Sequence, residues 1–260
     1  MTDPVRKREL ARVAARVASE AAAATIADTL NQLSRVVEVD PRRLERERVL
    51  PPGATGPHGG AYKMLRTQVL RRLDELNANS LAVIGSAAST GKTLTAINLA
   101  IAIAADHDRT ALLVDLDLRK PSVHRKFGLE CRVGVEDCLR GSKPLKEAMV
   151  RLVGYERLVI VPARERCHDS SELLASQRTQ ETIREMRQRY KDRILIFDLP
   201  PVLQADDALA FSRHVQAAIV VVGEGKTQRA DVLRTIELLD KLPILGTVLN
   251  AARSKSEAYY

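Results

Sequence analysis

A loop of small residues followed by Lys92 and Thr93 is the segment best suited to chemistry. The loop spans residues 85–91, follows the apolar run 81–84 and precedes a helical run over 94–105. A strand, a loop and a helix in this order direct backbone amides and a helix N-terminus toward phosphate groups. Lys92 would neutralise phosphate charge, and the Thr93 hydroxyl would bind Mg²⁺. The segment therefore predicts a loop that binds ATP and Mg²⁺ through Ala88, Ser89, Thr90, Gly91, Lys92, Thr93 and Leu94.

Three aspartates at the ends of two other apolar runs could complete a metal site. Asp115 and Asp117 end one run, and Asp198 ends the other. A carboxylate buried at the end of a strand is costly unless it has a cationic partner, and a phosphate-bound Mg²⁺ would supply one. We expect Asp198 to be a Walker B aspartate that holds the Mg²⁺ shell. For Asp115 and Asp117 a structural role stays open, either at the start of a helix or in a salt bridge to Arg119.

Six short apolar runs, separated by helical stretches, define the elements that would position these residues. Each run is almost continuously apolar, which is typical of strands in a parallel sheet that helices cover on both faces. The pattern predicts an α/β fold with a doubly wound, mainly parallel sheet, the P-loop NTPase fold, in which ligands bind at the carboxyl ends of the strands. The predicted strands are residues 80–84, 110–114, 157–161, 194–197, 217–222 and 244–249.

The chain before the first of these strands has a different composition. Its beginning is rich in Ala, Arg and Leu, which predicts an N-terminal helical extension over residues 1–50. Several Pro and Gly residues then predict a linker over 51–61. An amphipathic helix over 62–76 would open the nucleotide-binding domain, residues 62–253. Residues 254–260 would form a flexible polar tail.

Composition limits the cellular compartments and the binding partners that the chain is expected to have. The formal net charge of +8 favours an acidic partner, but basic and acidic residues are interleaved in the first third, and no aromatic residue precedes Tyr62. This pattern argues against nucleic-acid binding by base stacking, although a nucleic-acid or lipid patch stays open beside a solvated mixed-charge surface. Three cysteines without a paired spacing indicate a reducing, cytoplasmic compartment. The apolar run at 99–105 is far shorter than the roughly twenty residues that a bilayer requires.

Four features of the chain occur together: the phosphate loop, the DxDxR element at Asp115, Asp117 and Arg119, the DLPP element at residues 198–201, and the terminal Tyr259 and Tyr260. Together they resemble the bacterial tyrosine kinases of capsule and exopolysaccharide synthesis, over residues 62–260. The resemblance implies an Mg²⁺·ATP-dependent protein-tyrosine autokinase that regulates exopolysaccharide polymerisation and export. The partners it implies are a second copy of the chain, a membrane-bound chain-length or export activator, and a cognate tyrosine phosphatase. The kinase would be cytoplasmic, recruited to the inner face of the membrane by the activator.

The same resemblance assigns roles by position. The metal ligands would be Thr93, Asp117 and Asp198. The catalytic residues would be Lys92, Asp115 and Asp117, with Asp115 as the base that accepts the tyrosine proton. Outside the loop, Arg119 would contact the nucleotide and Asn250 would lie near the adenine. The phospho-acceptors would be Tyr259 and Tyr260 of a neighbouring subunit.

The chain departs from the family pattern in three places, one of which is the reduction of the C-terminal tyrosine cluster to Tyr259 and Tyr260. Ala88 and Ser89 stand where a Pro-Gly pair is usual, and a positive φ at Ser89 would strain the loop. Gly60, Lys63 and Arg66 occupy the positions of an ExxRxxR motif through which rings assemble in the family.

Two other functions stay open at this point. One is a nucleotide-gated ATPase switch of the partition type, although Ala87 stands where the characteristic lysine of those proteins would lie. The other is a pseudokinase that binds nucleotide without transferring phosphate, which the departures at Gly60, Lys63 and Ser89 favour.

Overall fold

The computed structural model describes residues 35–189 and 193–252 of the chain. These residues form one eight-stranded sheet in the order β1-β4-β5-β3-β6-β2-β7-β8. The strands are β1 Arg35–Val37, β2 Ser80–Ile84, β3 Thr110–Asp115, β4 Val150–Leu152, β5 Leu158–Val161, β6 Arg193–Asp198, β7 Ala217–Gly223 and β8 Ile244–Asn250. All neighbouring strands are parallel except β4 and β5, which are antiparallel.

Helices cover both faces of the sheet. Within the described residues they are α1 Pro41–Arg46, α2 Gly56–Glu75, α3 Lys92–Ala104, α4 Val123–Phe127, α5 Val135–Leu139, α6 Leu145–Ala148, α7 Ser170–Ala175, α8 Gln177–Arg189, α9 Asp207–Ser212 and α10 Arg229–Leu238. Two apolar clusters lie one on each side of the central strands, where side chains alternate between the faces. No helix of the described ranges is long and apolar enough to cross a bilayer. The predicted doubly wound α/β fold is confirmed.

All six predicted strands are present, and two further strands were missed. β1 and β4 are only three residues long and lie together near one edge of the sheet. The prediction of a helical extension is wrong over Arg35–Val37, which pairs with β4 and accepts a hydrogen bond from the Val153 amide at the Val37 carbonyl. A short strand can form there because its backbone groups have ready partners on β4. The part of the predicted extension before residue 35 lies outside the described residues.

The predicted linker is wrong over its second half, because α2 begins at Gly56 and not near Tyr62. A proline in the first turn is compatible with the helix, since the first amides have no partner within the helix. Gly59 permits a close contact: a Cβ there would lie 2.3 Å from the carbonyl oxygen of Ala54. Gly59, one of the glycines that predicted a break, therefore allows the preceding loop to pack against the first turn of α2.

Candidate active site

The phosphate loop connects β2 to α3 and has two residues at positive φ. Gly91 has φ 92°, and a Cβ there would lie 1.9 Å from Nδ2 of Asn250. Ser89 has φ 58°, so the predicted strain at this position is confirmed. Ala88 and Ser89 are exposed at the tip of the loop, whereas Thr90 is buried. The loop therefore presents its tip to solvent while its base is packed.

Lys92 is the buried cation of the site. Its side chain lies at the start of α3, only 6% of the residue is exposed, and Nζ donates a hydrogen bond to the carbonyl of Ala87 at 3.1 Å. Burial lowers the pKa of Lys92, while the charges of Asp198 and Asp117 raise it. The ammonium is thus held between the loop that would cradle phosphates and the carboxylates of the neighbouring strands. Leu94, also predicted to contact the nucleotide, is half-buried in the first turn of α3.

Two predicted aspartates meet at the carboxyl edge of the sheet. Asp115 ends β3 and Asp198 ends β6, and the two are directly paired in register and fully buried. Burial raises the pKa of Asp115 to about 7 and raises that of Asp198 well above its usual range. Asp117 follows Asp115 and is partly exposed, and burial also raises its pKa. The edge is therefore a site where negative charge has been desolvated and where a cation would be stabilised.

Asp198 fits the role of an Mg²⁺ ligand. Neither carboxylate oxygen makes a hydrogen bond of normal geometry within the described residues, although the Thr93 hydroxyl is close enough to lower the pKa of Asp198. The Ser122 hydroxyl in turn donates to the Thr93 hydroxyl at 3.3 Å. Mg²⁺ binds proteins through one or two carboxylates or hydroxyls, together with water and substrate phosphates. A buried carboxylate with unused oxygens beside a hydroxyl matches that requirement.

Asp115 has a structural role that competes with its predicted role as the base. One carboxylate oxygen accepts hydrogen bonds from the amides of Ser122 and Val123, both at 3.0 Å, and the other accepts from the Asp117 amide at 3.2 Å. These bonds hold the turn that leads into α4, although the residue at the start of that helix is Ser122 and not one of the two aspartates. A hydroxyl arriving from solvent could reach Asp117 more directly than Asp115. The geometry therefore favours Asp117 as the carboxylate that faces a substrate.

Arg119 lies in an ion-pair network that the sequence did not predict. Its Nε donates to Asp207 at 2.7 Å and its Nη2 donates to Asp206 at 3.1 Å, so the alternative of a salt bridge to Asp115 or Asp117 is wrong. Ser171 also donates to Asp206, at 2.7 Å. We call this network the arginine fork. Two adjacent aspartates before a short apolar stretch were the only signal for it, because their partner is distant in sequence.

Asn250 contacts the loop itself. Its Nδ2 donates to the carbonyl of Thr90 at 2.8 Å and lies against Gly91. The end of β8 is thereby fastened to the base of the phosphate loop. The predicted position near the adenine stays a prediction, as does nucleotide contact by Arg119. Tyr259 and Tyr260 lie outside the described residues.

Comparisons with known proteins show which proteins this chain resembles. The family model described as ParA, an NUBPL iron-transfer P-loop NTPase, matches residues 77–258. Tyrosine-protein kinase YwqD of Bacillus subtilis is 28% identical over 201 residues, which are 76% of this chain and 83% of YwqD. Tyrosine-protein kinase ptk of Acinetobacter johnsonii is 27% identical over 76% of this chain, but the chain spans only 27% of the length of ptk.

Solved structures also resemble this chain. The kinase domain of the Escherichia coli tyrosine kinase ETK superposes with a TM-score of 0.68 and 26% identity, covering 78% of this chain and 79% of that chain. The septum site-determining protein MinD of Pyrococcus horikoshii, solved with Mg-ADP, has a TM-score of 0.57 and 25% identity, covering 68% of this chain and 72% of that chain. The predicted resemblance to bacterial tyrosine kinases and the predicted P-loop NTPase fold are both confirmed.

Proposed function

The chain belongs to the ParA family of P-loop NTPases, and from that premise we propose that it is an Mg²⁺·ATP-dependent protein-tyrosine autokinase that regulates exopolysaccharide polymerisation and export. One observation carries the proposal: Lys92, Thr93 and the carboxylates of Asp117 and Asp198 meet beside the phosphate loop. Similarity to YwqD and to the ETK kinase domain supports tyrosine as the acceptor. The Mg-ADP bound to the similar MinD structure supports a Mg²⁺–nucleotide as the ligand of the loop.

The residues of the site can divide the work of phosphoryl transfer. Loop amides and Lys92 would hold the phosphates, and Thr93 and Asp198, joined by Asp117, would hold Mg²⁺. The bound Mg²⁺ would neutralise charge on the phosphate oxygens. The phenol proton of the acceptor would pass to Asp117, the partly exposed carboxylate, as the tyrosine oxygen bonds to the γ-phosphorus and ADP leaves. Asp115 would keep the turn that carries Asp117 in place.

The partners follow from the acceptor and from the relatives. Tyr259 and Tyr260 are the proposed acceptors, reached in a second copy of the chain. A membrane-bound chain-length or export protein would activate the kinase and bring it to the inner face of the membrane, and a tyrosine phosphatase would reverse the modification.

The proposal is tested by mixing two variants with Mg·ATP. Lys92→Met chains keep the acceptor tyrosines but cannot hold the phosphates, whereas chains with Tyr259→Phe and Tyr260→Phe keep the site but lack acceptors. We expect each variant to stay free of phosphotyrosine when incubated by itself. Their mixture should place phosphate on the Lys92→Met chain, as intact mass would show. Lys146→Met, which removes an exposed lysine, should be phosphorylated like the unaltered chain.

The result decides among the open functions. ATP binding without any phosphotyrosine in the unaltered chain would overturn the kinase proposal and indicate a nucleotide-gated switch or a pseudokinase. Phosphate on the chain with Tyr259→Phe and Tyr260→Phe would show that another residue is the acceptor. Loss of ATP binding in Lys146→Met would show that the lysine substitution perturbs the protein in general.

A further inference from the structure

The arginine fork joins three segments around the carboxyl edge of the sheet. Arg119 belongs to the turn after β3, Asp206 and Asp207 lie at the start of α9 after β6, and Ser171 lies in α7 after β5. The same turn after β3 carries Asp117. Asp117 is fixed locally by the Lys120 amide, which donates to its carboxylate at 3.0 Å. The fork therefore holds the far end of the turn that presents Asp117.

The buried carboxylate of Asp207 lowers the stability of the folded protein. It is fully buried, one oxygen accepts the 2.7 Å bond from Arg119, and the other has no hydrogen-bond partner among the described residues. A buried carboxylate with an unsatisfied oxygen costs free energy that a surface-facing arginine, with 41% of its side chain exposed, offsets only in part. Such a group calls for a reason beyond packing.

Asp207 also lies near the reacting edge. Its 2.7 Å bond to Arg119 connects it to the turn that carries Asp117. Arg119 stands next to both, two positions along the chain from Asp117 and in direct contact with Asp207. A charged group that orients the turn of a metal ligand acts on that ligand indirectly, and substitutions of such groups commonly cost tenfold or more in metal affinity or activity.

We infer that Asp207, through its bond to Arg119, is a positioning residue for the phosphoryl-transfer site: it holds the turn after β3 so that Asp117 faces the Mg²⁺–nucleotide. This inference rests on the proposed function for its catalytic consequence. Its consequence for the Mg²⁺ requirement depends only on the binding of nucleotide and Mg²⁺ at the loop. Arg119 is assigned here to position Asp117, in place of its predicted contact with the nucleotide.

The test measures metal requirement and turnover in Asp207→Asn. The substitution keeps the size of the side chain and an oxygen for Arg119, but it removes the charge. We expect the Mg²⁺ concentration for half-maximal binding of a fluorescent ATP analogue to rise about tenfold, and kcat for tail phosphorylation to fall about tenfold. Affinity for the analogue at saturating Mg²⁺ should change by less than about threefold, because the loop contacts are intact.

Two further variants separate positioning from folding. Asp169→Asn removes an exposed carboxylate that forms an even shorter pair with Arg140, at 2.5 and 2.6 Å, and should leave both readouts within about twofold of the unaltered chain. Arg119→Lys keeps a cation for Asp207 but loses the planar fork, and should raise the Mg²⁺ requirement about fivefold. This second variant supplies the answer if Asp207→Asn does not fold.

The outcomes distinguish this inference from the proposed function. If the unaltered chain transfers no phosphate, the kinase proposal fails, yet the Mg²⁺ requirement still tests the fork. If the unaltered chain transfers phosphate while Asp207→Asn and Arg119→Lys match Asp169→Asn in both readouts, the fork serves stability and the inference is overturned. A lower melting temperature with an unchanged Mg²⁺ requirement would lead to the same conclusion.

Discussion

At the residue scale, the site contains several groups whose burial or backbone conformation costs free energy. Asp115 and Asp198 are fully buried carboxylates, Lys92 is a nearly buried ammonium, and Ser89 has a backbone conformation that glycine adopts more easily. A bound Mg²⁺–nucleotide would reduce the cost for the charged groups, because opposite charges would then meet in a low-dielectric place. Ser89 contributes backbone strain of its own, which does not depend on these charges.

Replacing Ser89 with Gly should relieve part of this strain. Glycine accepts the observed φ of 58° without steric cost, but it also gives the unfolded chain more freedom. We expect a net gain of about 1 kcal/mol in the free energy of unfolding, which raises Tm by about 3 °C for a domain of this size. Thermal unfolding without nucleotide measures it.

The matched control is Ala88→Gly. Ala88 is also exposed at the tip of the loop but does not have a positive φ, so the same substitution only adds freedom to the unfolded chain. It should lower the free energy of unfolding by about 0.5 kcal/mol. Equal shifts in the two variants would contradict the assignment of strain to Ser89.

At the element scale, the long and strongly patterned segments were predictable and the short ones were not. The central strands β2, β3 and β6 are continuous apolar runs, because they are buried on both faces. The edge strand β1 and its neighbour β4 have three residues each and owe their form to pairing partners that sequence pattern does not reveal. In the same way, the phosphate loop was predictable from local order, whereas the arginine fork required knowledge of which loops meet.

Asn98 shows how one side chain on α3 fastens a distant segment. Its Oδ1 accepts from the Leu50 amide at 2.9 Å, its Nδ2 donates to the Arg48 carbonyl at 3.0 Å, and it is buried. Asn98→Ala would leave both backbone groups without a partner, so we expect a loss of about 2–4 kcal/mol in the free energy of unfolding. Chemical denaturation measures the loss.

An exposed site provides the comparison for Asn98. Thr67→Ala on α2 removes a single side-chain bond to the Lys63 carbonyl at the surface and should change the free energy of unfolding by less than about 0.5 kcal/mol. Hydrogen exchange of the Leu50 amide should become faster in Asn98→Ala and stay unchanged in Thr67→Ala. Unchanged exchange in both variants would show that other contacts hold residues 48–50.

At the scale of the whole molecule, the domain begins earlier than the sequence pattern suggested. The pattern placed its start at Tyr62, but the described segment before Tyr62 already contributes β1, α1 and the first residues of α2. Leu44 and Val49 are buried in the cluster on the α3 side of the sheet. Charge and composition could not reveal this, because two apolar side chains among many basic and acidic ones form no periodic face.

Two shortened chains test where the domain begins. One starts at residue 35 and the other at residue 51, so they differ only in β1, α1 and the turn that Asn98 holds. The shorter chain exposes the surface that Leu44 and Val49 cover, and burial of each such side chain contributes about 1.5–3 kcal/mol. It also loses the ion pair between Lys126 and Glu47, which contributes up to about 1 kcal/mol. We expect its free energy of unfolding to be lower by at least about 3 kcal/mol, measured by denaturation of both chains side by side. Equal stability of the two chains would show that the domain begins only at α2, the helix that precedes β2.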